Sequence, residues 1–560
     1  MRQKKNLSIA IAACMALFPL AGCVSVADEP LTLSHEGGIY SEAFDLTVSK
    51  GAASHTIYYT TNGSKPTTQS EKYKGKIRME EKKDSSVIDH VTPKEGYSFR
   101  DVHAGTSLRL LEVDKDGNTV AEKTATYLVK EDAEEYYTVP VICLTASLSD
   151  WFGANGMYND LTEEKKIRAE MEYYDLSKGE SFALNTQVKL GGNFTKQFPQ
   201  RTLNLNFNKD ENDEKNVPPS VDLFDGAMRE DGTGTLQNLT RFRLHNGGND
   251  WRAAFFTDAY AQAFAEDTAV STTSSRPCIV YLNGAYWGLY IMREHYSAEY
   301  FRDNYGVDKD NVVLLDKSWA NAGKPYNLEV KEYDEEEAYA MYDSLMQLLY
   351  ETDFTTDEGY QAFAEVVDVD SLIDLVLINA YVGNWDFMYN NFRFWRTAEV
   401  EEGNPYADTK WRFCLHDIDF SFEEEDANNG LVEEDRLAGK SYLDFFLGNA
   451  AVAYNGLGTL SEEDTMIFAK PMENAAFRER VYERAQVIQE AFNAEKAEAL
   501  QKEMVAQIKP LYPDQVKRWG SSGYSYNTWL DFTNIRLNNA KLRQDTFLQQ
   551  VVTAIAPFED

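Results

Sequence analysis

The stretch from Asn384 to Phe422 constrains this chain more than any other. It reads Asn384-Trp385-Asp386-Phe387-Met388-Tyr389-Asn390-Asn391, then Phe392-Arg393-Phe394-Trp395, an acidic turn, and Trp411-Arg412-Phe413-Cys414-Leu415-His416-Asp417-Ile418-Asp419-Phe420. Aspartates and asparagines interrupt an apolar, aromatic run. Burying such groups is costly unless hydrogen bonds or a positive charge compensate. Whether a metal, with a nucleotide behind it, supplies that charge is the question this stretch poses.

At 560 residues the chain exceeds a single core, and about two or three domains are expected. Apolar residues at 43% and aromatic residues at 13% fit a globular protein. The 91 Asp and Glu residues against 55 Lys and Arg give a net charge of -36. Nucleic-acid backbones need a basic footprint, so nucleic acid is excluded as a partner. Adhesion to anionic lipid through a polybasic face is disfavoured on the same ground. Most of the carboxylates read as a solvated surface that keeps the protein apart from others.

At the N-terminus Arg2, Lys4 and Lys5 precede an apolar run from Ile9 to Leu20, which closes on Leu20-Ala21-Gly22-Cys23. This pattern is an export signal over residues 1–22, followed by a tether over 23–30. Its ending resembles the bacterial lipobox, which implies cleavage before Cys23 and lipid on that residue. The alternative is an ordinary signal with a chance cysteine. Lipid at Cys23 would anchor the chain at the extracellular face of the cell membrane. No other run is long and apolar enough to span a bilayer. Cys143, Cys278 and Cys414 each lie in a strand-like apolar run and read as buried thiols.

Residues 31–130 read as all-β, with turns at Asn62-Gly63-Ser64 and Asp116-Gly117-Asn118. Gly37-Gly38-Ile39-Tyr40-Ser41 and Ile57-Tyr58-Tyr59-Thr60-Thr61-Asn62-Gly63-Ser64-Lys65-Pro66 resemble the C-terminal domain of chitobiases and β-hexosaminidases. The resemblance implies an immunoglobulin-like sandwich. It leaves glycan contact open without establishing it, and the preferred role is a spacer. Residues 131–138 read as a charged linker.

A second domain is expected over 139–560. Gly191-Gly192-Asn193-Phe194-Thr195 is a glycine-bearing turn between strands, of a kind that can cover phosphates with backbone N–H groups. Arg252 to about Glu266 reads as an amphipathic helix. Asn283-Gly284 signals a tight hairpin, whose second strand ends at Glu294; by pattern alone Glu294 is a solvated strand end. Glu329 to Tyr350 and Ser371 to Tyr381 read as helices, Glu423 to Asp435 as an acidic loop. The tail over about 472–552 is largely helical, with Trp519, Trp529, Arg536, Phe547 and Leu548 on its core face.

Asp386 and Asn391 stand five positions apart. In protein kinases that spacing holds the aspartate that accepts the substrate hydroxyl's proton and an asparagine that holds a metal. The hairpin after Asn391 would return Asp417 or Asp419 beside it, and strand alternation sets both aspartates on one face. Phosphoryl transfer is mainly positioning and charge neutralisation, so it requires this set of oxygen ligands. An aspartate-rich turn or a structural calcium site explains the same spacing.

Several further phrases complete a pattern: Gly192-Asn193, Pro199-Gln200-Arg201-Thr202-Leu203, Arg243-Leu244-His245-Asn246-Gly247-Gly248-Asn249-Asp250, Tyr281-Leu282-Asn283-Gly284-Ala285-Tyr286-Trp287-Gly288-Leu289-Tyr290, Glu294, Asn384-Trp385-Asp386, Asn390-Asn391 and His416-Asp417-Ile418-Asp419. Together and in this order they resemble the CotH (spore coat protein H) kinase family. The resemblance implies an α+β, atypical protein-kinase-like fold that uses ATP and Mg²⁺ or Mn²⁺ to phosphorylate Ser/Thr of a protein at the cell surface. It implies that Asp386 is catalytic, that Asn391 or Asn390 and Asp419 or Asp417 hold the metal, and that Glu294 pairs with the nucleotide-binding cation. Where the family usually has lysine this chain has Arg201, with Lys189 and Lys196 as substitutes. That departure supports an alternative of another class: a lapsed kinase fold serving as a surface scaffold or as a glycan- or protein-binding lipoprotein. A glycoside hydrolase is the weakest reading, since no carboxylate pair is identifiable.

Overall fold

The computed structural model describes residues 31–92, 100–161, 165–207, 221–423, 441–449, 460–520 and 524–559. Residues 1–30, with the export signal, the tether and Cys23, lie outside the described residues, as does most of the acidic loop after Glu423.

The N-terminal region is β-rich. Thr106–Val113 runs antiparallel to Thr119–Val129 and to Thr56–Thr60, and Gly38–Tyr40 adds parallel to Thr119–Val129. Phe44–Leu46 pairs with Ile77–Met79. Leu46, Ile57, Met79, Leu108, Leu110 and Tyr127 fill the core between them. The hairpin turns where its sequence requires: Gly117 takes φ 86° and Asp114 Oδ1 accepts from the N–H groups of Asp116 and Asn118.

This region packs directly against the next one. Strand His103–Ala104 extends the neighbouring sheet at Ala285. Glu172 Oε1 accepts from Thr126 N–H at 3.0 Å, and Ser107 and Thr145 hydroxyls meet at 2.8 Å. The 131–138 segment carries a helical turn, Ala133–Tyr136, and buries Ala133 and Tyr137.

Beyond it, seven strands form a closed ring: β1 (Val141–Thr145), β2 (Lys166–Asp175), β3 (Glu180–Leu190), β4 (Leu203–Asn206), β5 (Arg241–His245), β6 (Ser275–Leu282) and β7 (Ala285–Arg293). The order is β5-β4-β3-β2-β1-β6-β7, closed by pairing of β7 with β5 at Arg243↔Arg293 and His245↔Ile291. Closure removes the edge strands and brings the ends of β5 and β7 together. Asn283 (φ 49°) and Gly284 (φ 77°) make the left-handed turn that the hairpin demands.

Helix α1 (Thr257–Ala265) follows β5. It starts later than the sequence pattern predicts, because Asp250 accepts from the N–H groups of Ala254 and Thr257 and holds the chain in a turn first. After α2 (Ala298–Tyr305) come β8 (Val312–Lys317) and β9 (Leu328–Glu332), then helix α3 (Glu335–Glu351). The expected helix from Glu329 thus opens as strand: Leu328–Glu332 extends the β8 sheet, and Asp334 caps α3 by accepting from Glu336 and Glu337 N–H.

Helix α4 (Val369–Val382) is buried along almost its whole length. It leads to β10 (Phe392–Thr397) and β11 (Arg412–Cys414), completing a sheet of order β9-β8-β10-β11. The C-terminal region is helical: α5 (Ala475–Ala491), α6 (Ala494–Ile508), α7 (Tyr512–Trp519) and α8 (Tyr526–Ile555). It locks onto the ring at Gly288, where Trp519 Nε1 donates to Trp287 O at 2.7 Å and Gln515 Oε1 accepts from Leu289 N–H at 2.9 Å. A Cβ at Gly288 (φ 122°) would strike both side chains.

Candidate active site

Between the ring and the β8–β11 sheet lies a cleft of about 630 Å³. Asp386, Asn390, Asn391, Asp417 and Asp419 all line it. Helix α4 aims the first of these. It stops at Gly383 in left-handed conformation (φ 71°), and Asn384 then bonds back to Asn379 through backbone and side chain. Asp386 N–H caps onto Asn384 Oδ1 at 3.2 Å.

The Asp386 carboxylate is held at both oxygens. Tyr389 hydroxyl donates to Oδ1 at 2.7 Å; the Nδ2 groups of Asn390 and Asn391 donate to Oδ2 at 2.9 and 3.0 Å. Burial raises its pKa and these three donors oppose the rise. Asn390 is itself braced, since its Oδ1 accepts from Ser318 hydroxyl at 2.7 Å. With both ends of its amide engaged, Asn390 supports Asp386 and has no oxygen left aimed at a metal. Asn391 also donates its Nδ2 to Asp386 and lines the same cleft, so both asparagines stand beside the carboxylate.

The β10–β11 hairpin works as its sequence suggests, pairing Arg393 with Cys414 and Trp395 with Arg412. It brings Asn391 Nδ2 to 3.4 Å from Asp417 O. The strand ends at Cys414, however, so the two aspartates are not an alternating strand face. Asp417 takes φ 52°, and the chain reaches Asp419 as a loop. Asn249 N–H donates to Asp419 Oδ2 at 2.6 Å. A Cβ on Gly248 (φ 62°) would fall on that same oxygen, which accounts for glycine there.

Asp417 and Asp419 repel each other in a dry site. Burial, then the charges of Asp258 and Asp386, push Asp417 up to about 6, against the pull of Arg293 and Arg243. Burial and then Asp417 raise Asp419 well above the usual carboxylate range, against the Asn249 N–H. Among the described residues no group of three or more His, Cys, Asp or Glu side chains converges as a complete metal cage. Mg²⁺ does not need one: it binds through one or two carboxylates plus substrate phosphates and water. A buried carboxylate, Asp419, and a half-buried one, Asp417, with an amide oxygen beside them fit such an ion.

The expected cation is elsewhere. Arg201 donates to Phe198 O at 3.1 Å, Tyr158 O at 2.9 Å and Met157 O at 3.4 Å, and its guanidinium lies 4.5 Å from the Tyr158 ring centroid. It faces away from the cleft, to which its neighbour Thr202 contributes. Lys189 and Lys196 flank a separate small hollow with Met157 and Leu161. Glu294 is buried, not a solvated strand end: Oε2 accepts from Ser274 N–H at 2.9 Å and Oε1 from Asn304 Nδ2 at 2.8 Å. No Lys or Arg pairs with it among the described residues.

The cleft's cations are Arg243 of β5 and Arg293 of β7, adjacent across the ring closure. Sequence reasoning quoted Arg243 without giving it a role and passed over Arg293. The available signal was alternation on β5, which sets Arg243 on the face opposite the buried Phe242 and Leu244. Phe194 and Trp319, each 59% exposed, stand at the cleft, and Trp385 packs on Phe420 at 4.7 Å. The glycine-bearing turn at Gly192–Thr195 also lines it.

Comparison with known families gives two matches. A model described as CotH kinase protein matches residues 188–548, well over half of the chain, and one described as chitobiase/beta-hexosaminidase C-terminal domain matches residues 35–98. No curated protein matches the chain.

Proposed function

The chain belongs to the CotH kinase protein family, and from that premise we propose that it is a phosphotransferase, moving the terminal phosphoryl group of ATP to a Ser or Thr hydroxyl of a protein outside the cell. The observation that carries this reading is the convergence of Asp386, Asn391, Asp417 and Asp419 with Arg243 and Arg293 on one cleft. Asp386, braced at both oxygens, accepts the proton of the acceptor hydroxyl. Asp419, Asp417 and Asn391 would hold a divalent cation, which neutralises phosphate charge when bound. The arginines attract the phosphates, and the aromatic groups around them supply apolar walls for a base.

Supporting an extracellular setting is the Leu20-Ala21-Gly22-Cys23 sequence, with lipid on Cys23 as membrane tether. The N-terminal region, matched to the chitobiase-type domain, is read as an immunoglobulin-like sandwich that buttresses the kinase-like portion. The scaffold alternative drew on Arg201, whose guanidinium is engaged by the backbone carbonyls of Met157, Tyr158 and Phe198, which favours a structural role for it.

Incubating the purified protein with γ-labelled ATP and Mg²⁺ or Mn²⁺ should label the protein itself or an added Ser-rich protein. Asp386→Ala and Asp419→Ala should lower labelling by at least about 100-fold. Equal, background labelling by all three, with no shift of melting temperature on adding nucleotide, would end the kinase reading.

A further inference from the structure

Three guanidinium groups cluster at the cleft, Arg293 and Arg393 buried and Arg243 partly exposed to it, and they are not equivalent. Arg293 is paired with Asp258 at 2.8 Å, and Arg393 with Asp316 at 2.8 Å. Arg243 donates its Nε to Asn204 Oδ1 at 2.8 Å, a neutral acceptor. Among the described residues no carboxylate reaches it within ion-pair distance. Asp417 attracts it only from further off, and that carboxylate belongs to the set that would receive the cation.

A desolvated cation without a counter-ion is costly. Burial pushes the Arg243 pKa down to about 9, and the neighbouring Arg293 and Arg393 add to the fall. Other groups in such a position are matched by protein carboxylates; this one opens onto the cleft that Asp386, Asp417 and Asp419 line. An anion in the cleft would relieve the mismatch, and a planar guanidinium suits phosphate oxygens, which it can hold by two parallel hydrogen bonds.

We propose that Arg243 is the residue that receives the polyphosphate chain of the nucleotide, taking on β5 the role that the family resemblance implies for Arg201, just before β4. The assignment rests on the phosphotransferase reading above, because that reading supplies the polyphosphate. Arg293, paired with Asp258, contributes less to the anion, and Asn204 orients Arg243. Arg201 contributes nothing to it.

Binding measurements test this without turnover. Isothermal calorimetry on the full chain in Mg²⁺ would compare ATP, tripolyphosphate and adenosine for the wild type, Arg243→Met, Arg243→Lys and Arg201→Met. The expected result is a loss of at least about 30-fold for ATP and tripolyphosphate in Arg243→Met, a smaller loss in Arg243→Lys, and no change for adenosine. ATP affinity in Arg201→Met should stay within about twofold of wild type, although its melting temperature falls. Circular dichroism identifies any variant that fails to fold, and Arg243→Lys then carries the comparison. ATP binding by Arg243→Met as tight as by wild type overturns the assignment. If the wild type binds tripolyphosphate through Arg243 but not ATP in preference to it, the anion site stands and the kinase reading falls. If the wild type binds neither, both are lost.

Discussion

Asn390 and Asn391 are neighbours of the same type, yet they do different work. The Ser318 hydroxyl fixes the flip of the Asn390 amide, and that amide fixes one oxygen of Asp386. Ser318→Ala should therefore lower kcat roughly 10-fold with the KM for ATP unchanged, and Ser318→Thr should restore most of it. The double variant with Asn390→Ala should be no worse than Asn390→Ala alone; additive losses would show that Ser318 acts by another route. The Asp386–Asn391 spacing was legible in sequence because local chain geometry sets it. The roles of the arginines were not. Arg201 stands just before β4 and Arg243 within β5, both in sequence that reads as alternating strand, and only tertiary neighbours decide which one meets backbone carbonyls and which one faces the cleft.

At the scale of elements, the turn after β5 matters as much as the strand. Gly248 in left-handed conformation lets Asn249 N–H reach Asp419. Gly248→Ala should cost on the order of 1–2 kcal/mol in backbone strain alone and should displace Asp419; weakened Mg²⁺-dependent nucleotide binding by calorimetry is the expected sign. The end of β7 carries a second consequence. Burial pushes Glu294 up to about 8 and Glu230 up to about 7, both from a usual value of 4.5. The folded protein therefore keeps protons that the unfolded chain releases near pH 4.5, so this contribution is full below that pH and is lost as pH rises toward 8. The melting temperature of Glu294→Gln should fall less between pH 6 and 8 than that of wild type; parallel curves would contradict the assignment. Sequence periodicity located most of these elements, and it failed at the starts of α1 and α3. There Asp250 and Asp334 set the boundaries through hydrogen bonds to backbone N–H groups, which hydrophobic patterning does not register.

Across the whole molecule, the β-rich N-terminal region and the ring form one mechanical body. His103 sits buried between them, with its Nδ1 at 3.0 Å from Tyr281 hydroxyl and 2.9 Å from Tyr137 hydroxyl, and its Nε2 at 2.9 Å from Val129 O. Gly105 N–H reaches Gly284 O at 2.8 Å, and Arg518 from the far end of the chain donates to Val91 O at 3.0 Å. Scanning calorimetry of residues 24–560 should then give a single unfolding transition; two well-separated transitions would contradict the shared core. The segment 131–138 looked like a linker because its charges are real, but Tyr137 within it is buried, and the sequence has no way to announce that its hydroxyl meets that of Tyr281. The strand His103–Ala104 carries this furthest. It belongs by chain order to the first region and by hydrogen bonding to the sheet of the second. A cut at residue 139 is therefore not a clean seam: a graft of residues 139–560 alone would lose the strand that covers Ala285 and leave Tyr281 without both His103 and Tyr137, and would have to invent a replacement for both.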